Sequence, residues 1–295
     1  MVPEMGTAIG PIGIWASGMW CDGARAAEAA DVASELDDLG FAALWVSAGF
    51  GDGIPAAFAG LLDATRRMSI ATGILSIWHS TPVQSAEGFA ALEKAHPGRF
   101  LLGLGASHAV VVDSPERNYE RPFSRMVGYL DDLAVVQPAV PPSGMVLAAL
   151  GPRMLALAAD RTAGAHPYFV PVEHTEQARS VLGVGPMLAP ELAVVVEVDP
   201  EKARAAAREH MSVYLGLPNY TNNLRRFGYG DDDLGGGGSD RLVDAIVAWG
   251  DLDQIASRVR AHRDAGADHV SLQVLTADPQ QFPREQYRAL AEALI

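Results

Sequence analysis

Residues 26–47 read AAEAADVASELDDLGFAALWVS, and their order decides the fold. An amphipathic helix comes first, then Gly40, then a short apolar strand. The unit recurs at 87–105 (EGFAALEKAHPGRFLLGLG), at 152–170 (PRMLALAADRTAGAHPYFV) and at 252–275 (LDQIASRVRAHRDAGADHVSLQVL). Gly40, Gly98, Gly164 and Gly266 each fit the left-handed position just past a helix, where a Cβ is costly. The strands are continuous apolar runs without alternation, as expected of strands covered on both faces. Helices alternating with parallel strands make an α/β protein. Candidate strands fall at 12–15, 43–46, 68–75, 100–104, 146–149, 165–169, 192–196 and 269–275. That set predicts a (β/α)8 TIM barrel. A doubly wound open sheet is the alternative, but it would want G-x-G-x-x-G after the first strand. GIWASGMWCDG at 13–23 does not supply it.

The bulk numbers narrow the function. The chain has 295 residues, 49% of them hydrophobic, with a formal net charge of -14. It carries no basic stripe for nucleic acid, and its acidity disfavours anionic membranes. An anionic ligand must therefore be held by local donors. Cys21 is the single cysteine, which leaves no internal disulfide and no cysteine-based metal site. No apolar run approaches the ~20 residues of a membrane span, and the start does not read as a signal peptide. Cytoplasmic residence is the expectation.

Residues 199–268 form a long excursion between the seventh and eighth strands. It opens with a helix capped at Asp199-Pro200 and then turns polar and glycine-rich, with Gly235 to Gly238 in a row. By composition it is either a lid or binding loop, or a solvated connector.

In a barrel the chemistry sits at the C-terminal ends of the strands. Those ends are Trp15 to Trp20, Ser47 to Gly51, Ser76 to Ser80, Gly105 to His108, Leu150 to Arg153, His166 to Tyr168 and Gln273 to Thr276. Aromatic residues and imidazoles there suit a pocket for a flat ring, or simply fill the core. At VLAALGPRM (146–154) a strand ends at Gly151 and Pro152 starts a helix. The free N–H groups of its first turn, with Arg153 beside them, form either a phosphate seat or an ordinary turn. His108, after the glycine-rich GLGASHA, is a candidate acid/base. Tyr119 and Arg121 of NYERP could reach the mouth. No HExxH, P-loop or Ser-His-Asp order is present.

The stretches LGFAALWVS, RRMSIATGILSIW, HPGRFLLGLGASH, YERP, AALGPRMLALAADRTAGAHPYFVPVEHT and LGLPNYTNNLRRFGY together resemble the bacterial-luciferase-like oxidoreductases. The resemblance spans nearly the whole chain. It is closest to the actinobacterial branch that uses the deazaflavin coenzyme F420. It implies one luciferase-like TIM-barrel domain over 1–295, acting as an F420-dependent oxidoreductase on a small organic substrate. An FMN-dependent monooxygenase is the alternative, and a flavin-binding protein without turnover is a third. It also implies a homodimer. In MSIATGILSIWHSTP (68–82) it implies a non-prolyl cis bond at Gly73–Ile74, the other reading being a trans glycine bulge. It places the coenzyme phosphate at Leu150, Gly151, Pro152 and Arg153, and the ring among Trp45, Ser47, Gly73, Ile74, Gly105 and His108. Trp15, Trp20, His79, Tyr168, Asn219 and Tyr220 would line the substrate side. One departure stands out. Ser47-Ala48-Gly49 occupies the place where many deazaflavin relatives carry Ser-Asp-His, so the histidine acid/base of that position is missing.

Overall fold

The computed structural model describes residues 9–48, 53–112, 119–278 and 280–295. The 26–47 unit folds as its pattern dictates. Helix Ala26–Leu39 buries Ala29, Val32, Ala33 and Leu36, one stripe at helical spacing. Gly40 ends it at φ 95, its N–H turned back to Asp37 and Leu36 carbonyls. The fully buried strand Ala43–Val46 follows.

Eleven strands result among the described residues: β1 (Ile12–Ala16), β2 (Ala43–Val46), β3 (Ser69–Thr72), β4 (Leu75–Ser76), β5 (Phe100–Gly105), β6 (Met145–Leu147), β7 (Gly164–Ala165), β8 (Met187–Leu188), β9 (Glu191–Val196), β10 (Val247–Gly250) and β11 (Val270–Val274). Their order is β10-β9-β11-β1-β2-β3-β5-β6-β7-β8, and every pairing between them is parallel. β4 pairs with β5 off this path. One chain segment, 187–196, closes the ring: its first half pairs with β7 and its second half with β11. Thus β8 and β9 together fill one of eight positions, and the (β/α)8 barrel expected from the sequence is the fold observed.

Register separates the two faces of the wall. Trp15, Trp45 and Ala71 lie side by side across β1, β2 and β3, and Ala71 pairs with Leu101. These residues pack inside the ring with Ala43, Val146 and Ala189. Their neighbours in sequence, such as Ile14, Leu44, Ile70 and Leu102, point outward into the helix layer.

Three expectations need correction. The strand read at 68–75 is broken into β3 and β4 by Gly73–Ile74, whose peptide bond is cis. The strand read at 165–169 stops at Ala165, because Pro167 has no N–H to offer and Phe169 turns to φ 59. Gly164 is not a helix cap but part of β7. A Cβ there would come within 2.0 Å of the Met187 carbonyl oxygen.

The excursion is mostly helical. It contains helices Pro200–Leu215, Pro218–Arg226, Asp231–Leu234, Asp240–Ile246 and Leu252–Asp264, together with β10. Asp199 caps the first of them as expected, accepting from the Glu201 and Lys202 N–H groups. A second apolar cluster, built on Phe169, Ala193, Met211, Tyr220 and Leu224, ties these helices to the wall. Gly236, Gly237 and Gly238 take positive φ in succession, and the Gly238 carbonyl accepts from Arg208 at 2.9 Å. The glycine run is therefore a turn tied to the helix at Gly238, with Gly235 and Gly236 exposed.

Candidate active site

A cavity of about 550 Å³ opens at the C-terminal ends of the strands. This is the size range of small-molecule and cofactor sites. Ser47 (after β2), Gly73 and Ile74 (between β3 and β4), Gly105 and His108 (ending and following β5) and Leu150 and Gly151 (after β6) all reach it. So do Trp15, Tyr168, Asn219 and Tyr220. Of NYERP, Tyr119 lines the cavity, and its hydroxyl donates to the Ser107 carbonyl at 3.1 Å. Arg121 is exposed at the start of helix Pro122–Val135.

The reason for glycine at 73 is local crowding. A Cβ there would lie 2.8 Å from Trp15 Nε1 and 3.3 Å from Trp45 Cβ. Gly105 serves the same end, since its Cβ would meet the Ile74 side chain at 2.6 Å. The two glycines let the Gly73–Ile74 segment lie flat between β2 and β5, with Ala148 and Ala149 continuing that low surface.

Five sequence-predicted residues do not line the cavity. Trp45 is fully buried beneath it, stacked on His166 with centroids 4.2 Å apart. Trp20 packs edge-on against Phe282 at 4.7 Å and borders a separate apolar pocket with Cys21 and Leu61. His79 stands behind the wall, its Nδ1 3.1 Å from the hydroxyl of Ser76, which does line the cavity. Pro152 and Arg153 are exposed on the outer side of their helix, and the Arg153 guanidinium lies 4.1 Å over the Phe123 ring. Ala48 is buried, and Gly49 to Gly51 lie outside the described residues.

The cation at the helix start comes instead from the excursion. Helix Pro152–Arg161 begins at Gly151 with no side-chain cap. Arg226 Nη1 is 3.8 Å from where a Cβ on Gly151 would sit. Arg226 belongs to helix Pro218–Arg226, whose Asn219, Asn222, Asn223 and Arg226 form one face, spaced i, i+3, i+4, i+7, against the cavity. Asn222, Asn223 and Arg226 were missed by sequence reasoning, because a polar stripe reads as a solvent face. His174 Nε2–H donates to the Leu150 carbonyl at 2.9 Å and holds the strand-to-helix turn in place.

Four polar atoms in the wall lack partners among the described residues: Trp15 Nε1, His166 Nε2 and both amide atoms of Asn223. Buried polar groups are nearly always paired, so these atoms call for a ligand group or ordered water as partner. Tyr168 is engaged. The Tyr168 hydroxyl is 2.7 Å from both the Tyr214 hydroxyl and Gln273 Oε1. Gln273 Oε1 only accepts, so Tyr168 donates to it and Tyr214 donates to Tyr168. Burial raises the Tyr168 hydroxyl well above the usual phenol range and lowers the imidazole of His108. His108 Nδ1 accepts from the Asn219 amide at 3.3 Å, and its ring leans on Tyr220.

Among the described residues no helix is long and apolar enough to cross a membrane, and no three His, Cys, Asp or Glu side chains gather to hold a metal ion. Comparison with curated protein sequences gives no match. The sequence pattern of the luciferase-like monooxygenase family matches residues 12–134, which is less than half of the chain. Solved structures match over nearly its full length. An F420-dependent secondary alcohol dehydrogenase, complexed with an F420-acetone adduct, superposes with a TM-score of 0.72 at 16% identity, covering 97% of this chain and 98% of that one. The coenzyme F420-dependent tetrahydromethanopterin reductase of Methanopyrus kandleri gives 0.66 at 15% identity, covering 97% and 98%. The oxygenating constituent of 3,6-diketocamphane monooxygenase of Pseudomonas putida, complexed with FMN, gives 0.64 at 15%, covering 97% and 99%. At these identities the likeness is one of fold: this chain is built as a luciferase-like barrel.

Proposed function

We propose that the chain is an oxidoreductase whose cavity binds a phosphorylated deazaflavin, coenzyme F420, and that it moves a hydride between this coenzyme and a small organic substrate. The observation that carries the reading is the union of two features in one cavity. At one end stands an uncapped helix start flanked by Arg226 and the unpartnered Asn223 amide. At the other lies the flat surface of Gly73, Ile74 and Gly105. The first end suits a phosphate, through free N–H groups and a cation. The second accepts a planar ring, because no Cβ rises from either glycine.

When bound, the coenzyme supplies a carbon that takes or gives a hydride. The chain's own residues orient and shield. Gly151 and Arg226 fix the phosphate, Ile74 backs the ring, and Trp15, Tyr168 and Tyr220 wall the open side against water. An FMN-dependent monooxygenase is the second reading, favoured by the match of residues 12–134 to the luciferase-like monooxygenase family.

Titrating the purified protein with coenzyme F420 and with FMN, followed by fluorescence, tests the proposal. Saturable F420 binding with weak FMN binding is expected. FMN binding alone turns the reading to the monooxygenase, and no binding of either overturns both.

A further inference from the structure

Two imidazoles line the cavity among the described residues. His166 is buried, whereas His108 is half-buried on the turn that follows β5. Where the His108 proton sits follows from its neighbours. Asn219 Nδ2 lies 3.3 Å from the Ser107 carbonyl and 3.3 Å from His108 Nδ1. A carbonyl oxygen only accepts, so the amide meets this turn with its nitrogen and not with its oxygen. Its second N–H is then directed to Nδ1, which must accept. The proton of the neutral ring is left on Nε2. The turn is shaped for this contact. Ser107 takes φ 56, a left-handed conformation uncommon for a residue with a side chain, and its carbonyl also accepts from the Tyr119 hydroxyl at 3.1 Å. Among the described residues His108 Nε2 has no hydrogen-bond partner, and no Asp or Glu lines the cavity to accept from it.

We propose that Asn219 is a positioning residue that locks His108 in the Nε2–H form, and that His108 serves the cavity as a hydrogen-bond donor to a ligand oxygen and not as a base. A base at this position needs the Nε2 lone pair, which this form does not have. Burial lowers the imidazole from its ordinary value, so the ring is neutral at neutral pH and keeps its single proton. A neutral imidazole donor stabilises negative charge that gathers on a bound oxygen when hydride reaches the carbon beside it. The matching ligand group is an oxygen that accepts, either a carbonyl of the coenzyme ring or an oxygen of the substrate. The inference rests on the oxidoreductase reading of the cavity and adds to it the part played by His108. It moves that residue from the acid/base role expected of it to one of charge stabilisation.

Protein labelled with 15N at histidine is examined by NMR at neutral pH in four states. These are the free protein, the protein with coenzyme F420, with N,N-dimethylacetamide, and with both. Dimethylacetamide has an oxygen that accepts and no proton to give. His108 is assigned through its backbone in wild type and by the loss of its signals in His108→Gln. The expected free-protein spectrum shows the proton on Nε2 and a bare Nδ1. The Nε2–H signal should shift downfield when an acceptor arrives. A shift with F420 alone assigns that acceptor to the coenzyme ring, and a shift that needs dimethylacetamide assigns it to the substrate side. Asn219→Asp sets an acceptor where the amide donates and should move the proton to Nδ1. Asn219→Leu should leave a mixture of the two forms. Asn219 is exposed, and the wild-type spectra stand by themselves should either variant fail to fold. The proposal is overturned by a proton on Nδ1 in wild type, by a proton that stays on Nε2 undisturbed in both variants, or by an Nε2–H signal that moves in no ligand state. Failure to bind F420, with the dimethylacetamide shift retained, removes the coenzyme assignment and leaves the donor role of His108 standing.

Discussion

Arg226 Nη1 stands 3.8 Å from the point where a Cβ on Gly151 would project, so the start of helix Pro152–Arg161 has its cation supplied by a different helix. A charge-assisted hydrogen bond to phosphate contributes about 1.5–3 kcal/mol, or roughly 10- to 150-fold in affinity. Arg226→Ala is expected to weaken coenzyme binding by at least about tenfold. Arg153→Ala, which removes only the outward stack on Phe123, should leave the dissociation constant within about twofold. Fluorescence titration of both variants checks this, and the opposite ranking would return the seat to Arg153.

Gly73→Ala places a methyl 2.8 Å from Trp15 Nε1 and 3.3 Å from Trp45 Cβ. Trp45 is held by His269 and by its stack on His166, so Trp15 is the residue that gives way. Overpacking of this kind costs about 1–3 kcal/mol. A loss of that size in urea denaturation is expected, together with a changed tryptophan emission spectrum. Wild-type stability and emission would contradict the crowding seen at this position.

Asn223 buries an amide with neither atom partnered among the described residues. Replacing it by Leu removes the orphaned groups at similar volume, a change worth about 1–2 kcal/mol in favour of the ligand-free fold. Asn223→Leu is expected to raise the melting temperature by a few degrees and to weaken coenzyme binding. A variant that melts lower than wild type would mean the amide is paired in solution.

Stability should fall steeply in mild acid. Burial holds His166, His174, His210 and His269 down to about 4 and His262 down to about 3. Their unfolded value is about 6.5, so between about pH 6.5 and 4 the unfolded chain binds more protons than the folded one. The stability they confer is complete above 6.5 and is lost as pH falls, each contributing up to about 1.4 kcal/mol per pH unit. Glu191 works in the other direction. Burial raises it to about 8, so the folded chain holds its proton and loses stability as pH rises from about 4.5 toward 8. Five groups against one leave a net loss on acidification. Urea midpoints at pH 7.5, 6.5 and 5.5 measure it, and a flat profile would contradict the neutral burial of these imidazoles.

The barrel was legible because its signal is local. Each helix–glycine–strand unit carries its own periodicity, as in 26–47, and parallel pairing follows from alternation alone. Gly105 and Gly151 were legible for the same reason, since they sit at strand ends that the fold brings to one rim, whereas Gly73 lay inside the strand read at 68–75 and its place at the rim came only from the family resemblance. What escaped depends on contacts distant in sequence. Arg153 follows Gly151 in the chain, but the second helical position points it outward, and the cation that faces the rim arrives from the excursion. Trp20 and His79 follow strand ends too, yet Phe282 and Ser76 hold them elsewhere. Asn222 and Asn223 show their spacing openly. Only the packing of Tyr220 and Leu224 into the second apolar cluster fixes which way that helix is rolled.

The floor of the cavity and its polar rim have separate genetic addresses. The Gly73–Ile74 surface and Gly105 belong to the strand framework, whereas Asn219, Asn222, Asn223 and Arg226 ride on nine residues outside it. Substitutions on that short helix can reshape one end of the cavity while the strand-borne floor stays intact. Under the proposed function, a lineage carrying this architecture can therefore alter what the cavity grips through one cassette of chain.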